Sequence, residues 1–206
     1  MSNYIVHFTK GGEDTDDYRT MMSIYSSCAL VPQRRFGIGK DKAPAETEQR
    51  AVCFSEIPPG HWHRIVERRQ TKYGLAFTKE FILSKGGGPI WYAWKDTLHW
   101  QTLQDMMRSA ADDPTAHIWN LTPLIDAPGE YGRTEYRFDW EREWRHVGRL
   151  SFRSEEVAFL LIPEALHGAA HAFFEDARDD NLGPSYFCPY VDPLWSREHI
   201  LTELNK

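Results

Sequence analysis

The pattern of apolar and polar positions predicts a strand and then a helix at the start of the chain. Residues 4–9, Tyr-Ile-Val-His-Phe-Thr, are mostly β-branched or aromatic and are followed by a lysine and two glycines, which is typical of a strand. Asp14, Thr15 and two further aspartates then supply helix caps, and apolar residues at helical spacing predict a helix over about 16–29. Residues 33–49 are polar and contain two glycines and a proline, which predicts a loop that can cross the face of a site.

The rest of the chain interleaves short strands with helices. Strands are predicted at 51–55, 73–77, 81–83, 140–145, 150–152 and 157–162, and helices at 61–69, about 97–110 and about 164–177. Regular alternation of strand and helix, as in a doubly wound sheet, is absent from this order. We therefore predict an α+β fold, with split or mixed β-sheets and flanking helices, in a single domain over residues 1–206.

Composition narrows the class of protein. The chain has 206 residues, of which 41% are hydrophobic and 26% charged, so it is expected to be globular. Its eight tryptophans are expected mainly in the core, although several could line a groove that stacks a planar ligand. The net charge of −6 disfavours a surface devoted to nucleic acid, and the longest apolar run, residues 157–162, is too short to cross a membrane. A cytoplasmic protein with no membrane contact is expected.

Cysteine and histidine spacing gives no metal motif. Cys28, Cys53 and Cys188 are odd in number and lack a CxxC spacing, so reduced thiols without structural zinc are expected. The pair His61 and His63 would not share a helix face and has no third ligand at a suitable spacing. A nucleophilic Cys53 is a further alternative.

Two strand ends carry side chains suited to a ligand. His7 and Thr9 end the first strand and could donate hydrogen bonds to a ribose or phosphate, although a structural histidine is the simpler alternative. Phe54 and Ser55 end the strand at 51–55, where the hydroxyl could meet a ligand or could cap the turn that leads into Pro58.

Two glutamates form the third candidate. Residues i and i+2 of a strand share a face, so Glu141 and Glu143 are expected to project together between two tryptophans. Neighbouring carboxylates repel unless a proton, a cation or a ligand hydroxyl lies between them. A charge-rich edge strand is the alternative.

These blocks together resemble a family of bacterial phage-resistance proteins. The blocks in question are Tyr4–Thr9, Ala51–Pro58, Tyr73–Phe77, Gly87–Tyr92, Asp126–Tyr131, Trp140–Arg145 and Pro189–Trp195. In order and spacing the chain resembles the AbiGi-type abortive-infection family over nearly its whole length. This resemblance implies a role in defence against phage.

More remotely, the same order resembles the ADP-ribosyltransferase fold. That resemblance implies NAD as substrate, no metal, and a nucleic acid or protein as acceptor of the ADP-ribose. It implies that His7 and Thr9 contact the NAD ribose, with Phe54 and Ser55 beside the nicotinamide. It also implies that Tyr73 supplies a stacking ring, and that Glu143 and Glu141 are the catalytic acids. The sequence departs from that family in lacking the full Ser-Thr-Ser pattern after Phe54.

Two other functions remain open at this point. A non-catalytic, antitoxin-like partner or sensor of a companion defence protein would use its tryptophan-rich surface as the contact. A nuclease would need a carboxylate cluster with a histidine and a lysine, of which Glu141, Glu143 and His146 supply only a part. A transferase instead requires His7, Ser55 and Glu143 to meet in one cleft.

Overall fold

The computed structural model is an α+β fold with a mixed sheet and several helices, as the sequence predicts. It describes residues 3–10, 16–131, 133–137 and 141–205. The strands are β1 Tyr4–Phe8, β2 Ala29–Leu30, β3 Ala51–Ser55, β4 Gly74–Thr78, β5 Gly88–Pro89, β6 Trp91–Tyr92, β7 Ile125–Asp126, β8 Gly129–Tyr131, β9 Thr134–Tyr136, β10 Glu143–Val147, β11 Leu150–Ser151, β12 Phe159–Leu161 and β13 Tyr190–Val191. The helices are α1 Asp17–Ser27, α2 Trp62–Arg69, α3 Lys79–Ser84, α4 Leu98–Ser109, α5 Ile118–Leu121, α6 His167–Asp179 and α7 Arg197–Leu204.

The chain forms two compact units, each built from discontinuous segments. Unit 1 comprises Met1–Leu30, Glu56–Phe81 and Ser151–Lys206, and unit 2 comprises Val31–Ser55 and Ile82–Leu150. In unit 1, β4 pairs antiparallel with both β1 and β12, and β12 pairs parallel with β13. The sheet is therefore mixed.

Aromatic side chains build the core of unit 1, as their number predicted. Trp62 packs on Phe159 with ring centroids 5.6 Å apart, and its indole nitrogen donates to the Ile57 carbonyl at 2.9 Å. Tyr25 is fully buried, and its hydroxyl donates to the Gly74 carbonyl at 2.7 Å. Large rings can be buried here because each polar atom has a partner inside the unit.

Unit 2 combines a small antiparallel sheet with a helical layer. β10 pairs with β3 on one side and with β5 on the other, both antiparallel. β6 pairs parallel with β7, and β8 pairs antiparallel with β9. The buried core of the helical layer comprises Ala93, Leu103, Met107, Ala110, Ile118, Trp119 and Ile125.

The polar segment 33–49 is irregular, as predicted, and is anchored inside unit 2. The Gln49 side chain donates to the Trp119 carbonyl at 2.9 Å and accepts from the Thr122 hydroxyl at 2.8 Å. Gly37 has a φ of 78°, and a Cβ there would lie 1.9 Å from the Thr122 carbonyl oxygen. Only glycine permits this close approach of two backbone segments.

The predicted strand at 81–83 is wrong, because these residues belong to α3. The Thr78 hydroxyl accepts from the Phe81 backbone nitrogen at 3.1 Å, which caps the helix, and Glu80 places negative charge in its first turn. Three apolar residues in a row fit a helix or a strand equally well, so the Thr78 cap is what favours the helix here. Asp16 caps α1 by accepting from the Arg19 nitrogen at 2.7 Å, whereas Asp14, Thr15 and Trp140 lie outside the described residues.

Candidate functional site

The pairing of β3 with β10 sets Ser55 directly opposite Glu143, and Cys53 directly opposite Arg145. Paired residues of an antiparallel ladder project to the same side, and alternate residues share a face. These four side chains therefore lie on one face of the two strands. The sequence placed Ser55 and Glu143 in one site, and the register brings these two together.

Arg145 forms the centre of this face. Its Nε and Nη2 donate to the two carboxylate oxygens of Glu143 at 2.8 and 3.1 Å, and Nη2 also donates to Asp126 Oδ2 at 2.5 Å. Its Nη1 donates to the Pro123 carbonyl at 2.8 Å, and the Phe36 ring lies 5.0 Å from the guanidinium. This fork of hydrogen bonds fixes the position of Glu143.

Burial makes these interactions strong. The Arg145 side chain is 1% exposed, and those of Glu143 and Asp126 are 14% and 13% exposed. Burial alone would lower the pKa of Arg145, but the neighbouring carboxylates, Glu143 first and then Asp126, outweigh it and raise that pKa. Arg145 is therefore a permanent cation at the centre of the face.

Two tyrosines complete the surroundings of the carboxylates. The Tyr136 hydroxyl donates to Asp126 Oδ2 at 2.9 Å, and the Tyr92 hydroxyl accepts from the Glu143 backbone nitrogen at 3.2 Å. Burial raises the pKa of Tyr92 to about 12 and that of Tyr136 well above its usual range. Both phenols are therefore neutral at physiological pH.

Glu141 lies close to Ser55, but not through the predicted strand geometry. The strand begins at Glu143, and Arg142 has a φ of 47°, a left-handed conformation that interrupts the alternation of faces. Glu141 is nevertheless buried, and its Oε2 accepts from the Ser55 hydroxyl at 3.5 Å. The prediction that both glutamates project from one continuous strand is wrong, whereas Ser55 does contact a carboxylate.

Two candidates lie on the other face of the strands. Phe54 is opposite Trp144 and is buried in the core, so its ring lies away from the Ser55 hydroxyl. His146 is opposite Val52, with its ring nitrogens 3.1 Å from the Lys85 carbonyl oxygen and 3.3 Å from that of Gly148. The nuclease hypothesis requires His146 to lie with Glu141 and Glu143, and the structure does not place it with them.

The remaining candidates, His7, Thr9 and Tyr73, belong to unit 1. Thr9 is buried, and both its backbone nitrogen and its hydroxyl donate to the Tyr73 carbonyl, at 3.0 and 3.3 Å. His7 is half-buried and pairs with Leu75. The Tyr73 ring packs edge-on against Tyr18 at 5.9 Å. Hydrogen bonds thus join Thr9 to Tyr73 within unit 1, while Ser55, Glu141 and Glu143 meet in unit 2.

Asp126 and Arg145 are not among the site residues that the sequence predicts. The contact of Arg145 with Glu143 could be predicted, because an acid and a base two residues apart on a strand share a face. The contact with Asp126 could not, because Asp126 is 19 residues away from Arg145 and reaches it only through the fold.

No protein-family model, no curated protein and no solved structure matches the chain. Within the described residues, no helix is both long and apolar enough to cross a membrane. The same part of the chain contains no group of three or more histidine, cysteine or acidic side chains arranged to hold a metal ion.

Proposed function

We propose that this chain is an AbiGi-type phage-defence protein that transfers ADP-ribose from NAD to a nucleic acid or protein acceptor. In this proposal the fold is a divergent form of the ADP-ribosyltransferase fold. The observation that carries it is the direct pairing of Ser55 with Glu143, with the Glu141 carboxylate 3.5 Å from the Ser55 hydroxyl. A hydroxyl and two carboxylates at the end of one strand pair suit the recognition of a sugar.

Charge supports glycosyl transfer. The carboxylates of Glu143 and Asp126 both bind the guanidinium of Arg145, so these three side chains carry more negative than positive formal charge. When the bond between nicotinamide and ribose breaks, nicotinamide leaves with the electron pair and positive charge develops on the ribose. A fixed carboxylate beside that sugar stabilises the developing charge.

The proposal gives each acid a separate role. Glu143, held by Arg145, is the acid that contacts the ribose. Glu141 accepts the proton that the acceptor nucleophile loses as it bonds to the ribose carbon. Arg145 is a positioning residue, because it acts by fixing Glu143. Phe54 has no part in this proposal, because it lies on the opposite face of the strands from Ser55.

The test compares wild type with Glu143→Gln, and uses Glu80→Gln, a substitution at an exposed residue of α3, as the matched control. NAD loss and ADP-ribose on nucleic acid and protein are measured in cells during phage challenge. We expect Glu143→Gln to lower NAD turnover by about 100-fold while the control matches wild type. Unchanged turnover in Glu143→Gln, or no NAD loss in wild type under phage challenge, would contradict the proposal.

A second function, the non-catalytic partner or sensor of a companion defence protein, is favoured by a different observation. Both oxygens of Glu143 are already bound by Arg145, which is also how a purely structural carboxylate is held. Trp91 and Trp94 are 49% and 41% exposed and could form the contact. On this hypothesis Trp91→Ser and Trp94→Ser abolish phage protection, whereas Glu143→Gln leaves it intact.

A further inference from the structure

A groove in unit 1 is lined by aromatic rings and carboxylates. It lies among α6, the segment leading into β13, and α7, and its volume is 590 Å³. Grooves of about 300–1,000 Å³ are typical of small-molecule sites. None of the residues assigned to the proposed transferase lines it.

The rings of the groove are organised in pairs. His171 stacks on Tyr190 and His199 stacks on Trp195, each with ring centroids 4.0 Å apart. His167 lies between the two pairs, edge-on to Tyr190 at 5.9 Å and to Trp195 at 5.5 Å. The exposed His171 and His199 and the half-buried Trp195 therefore bring several ring faces together at the groove, whereas Tyr190 is buried beneath His171.

The polar atoms of these rings bond within the protein. The Tyr190 hydroxyl donates to the Tyr186 carbonyl at 3.3 Å. His167 Nε2 lies 2.9 Å from the Ile162 carbonyl oxygen, and it carries a proton because a carbonyl oxygen can only accept. These two contacts hold the Tyr190 and His167 rings in place.

The charge of the lining is negative. Glu164 and Glu203 line the groove, and none of its lining residues in the described part of the chain is lysine or arginine. The Trp195 indole donates to Glu164 Oε2 at 2.7 Å, which adds electron density to the best cation-binding ring in proteins. An anionic ligand would be repelled by these carboxylates.

One of the lining rings already contacts a cation of the protein. The Arg178 guanidinium is 5.7 Å from the ring centroid of Phe187, a lining residue that is 79% exposed. Arg178 is also paired with Asp179 at 2.7 Å. A ring of this groove thus accepts a cation at its face.

We propose that this groove binds an organic cation of the alkylammonium class, such as a quaternary ammonium group on a larger molecule. The Trp195 and histidine rings would surround the cationic head, and the carboxylates of Glu164 and Glu203 would attract it. A metal ion does not fit the same lining, because no three of its histidine, cysteine or acidic groups are arranged to share an ion. This proposal stands independently of the transferase function.

The test is calorimetric titration of the full chain with choline and with its neutral isostere 3,3-dimethylbutan-1-ol, both at pH 8. We expect saturable binding of choline that is at least about tenfold tighter than that of the isostere, since a desolvated cation–π contact supplies roughly that factor. Equal affinity for the two probes, or no saturable binding of choline up to about 50 mM, overturns the proposal.

Variants locate the binding. Glu203→Gln is expected to weaken choline binding by about threefold to tenfold, whereas Glu198→Gln, at an exposed residue of the same helix, leaves it unchanged. Trp195→Leu is expected to abolish it, and a thermal melt shows whether that variant is folded. If choline binds to folded Trp195→Leu and to Glu203→Gln as tightly as to wild type, it binds elsewhere and this groove is not its site.

Discussion

Arg145 binds both carboxylate oxygens of Glu143 from a position two residues further along the same strand. The guanidinium is almost completely buried and also binds Asp126, so the two carboxylates depend on one cation. Forming a buried charge network of this kind costs desolvation energy. Removing one member destabilises the fold more, because the remaining charges stay buried without a partner.

The first prediction is that Arg145→Met lowers the free energy of unfolding by about 3 kcal/mol or more, because Glu143 and Asp126 lose their cation. Arg145→Lys is expected to lose less, since it keeps the charge but not the fork of hydrogen bonds. Urea unfolding followed by circular dichroism measures both. Arg108→Met is the control, because Arg108 is 76% exposed and its pair with Asp105 contributes about 0–1 kcal/mol. A loss at Arg145 no larger than at Arg108 would show that the network adds nothing to stability.

How much of this site the sequence predicts depends on how far apart along the chain the interacting residues lie. Propensity and capping placed β3, α4 and α6 within a few residues, because their signals are local. The candidate strand ends of β3 and β10 were also recognised, and the structure pairs them. Ser55 and Glu143, which the sequence assigns to one site together with His7, are direct partners in that pairing.

Other features were set by contacts that local pattern does not contain. The left-handed Arg142, at a φ of 47°, breaks a strand that the alternation of residues 140–145 favoured. A non-glycine residue adopts that conformation only when the surrounding fold imposes it. The choice between a catalytic and a structural Glu143 likewise depends on Arg145 and Asp126, which converge only after folding.

The second prediction separates stability from activity at Ser55. Its hydroxyl lies 3.5 Å from Glu141 Oε2, at the limit of hydrogen-bond length, so Ser55→Ala is expected to change the free energy of unfolding by only about 1 kcal/mol or less. If Ser55 positions Glu141 for proton transfer, NAD turnover should fall by about tenfold or more in the same variant. Denaturant unfolding and NAD consumption are measured in parallel. Large destabilisation with unaltered turnover would assign Ser55 a purely structural role.

The third prediction concerns alkaline pH. Burial raises the pKa of the Cys188 thiol from its ordinary 9.0 to about 12. Between these values the unfolded chain loses the thiol proton while the folded chain keeps it, so stability is lost as pH rises from about 9 to about 12, by at most about 1.4 kcal/mol per pH unit. Cys188→Ala should therefore show a shallower loss of stability over this window than wild type. Burial first, and then the nearby Cys188, raise the pKa of Tyr25 and of Tyr190, so removal of Cys188 makes the loss shallower through these tyrosines as well. The two curves should be parallel from pH 6 to 8, and a Cys188→Ala curve as steep as wild type above pH 9 would rule out this effect.

The fourth prediction tests the anchoring of segment 33–49 beside the Arg145 network. Gly37→Ala would strain a φ of 78° and would place a Cβ 1.9 Å from the Thr122 backbone oxygen, so a loss of about 2 kcal/mol or more is expected. Gly88→Ala is the matched control in the same unit, because a Cβ there has no neighbour within 4 Å and no positive φ to strain; its effect should stay within about 0.5 kcal/mol. Chemical denaturation measures both variants. Because Phe36, next to Gly37, lies over the Arg145 guanidinium, Gly37→Ala should also increase hydrogen exchange at the β10 amides, whereas Gly88→Ala should not. Equal stability and equal exchange in the two variants would show that the close contact of Gly37 with Thr122 does not hold this segment against the site.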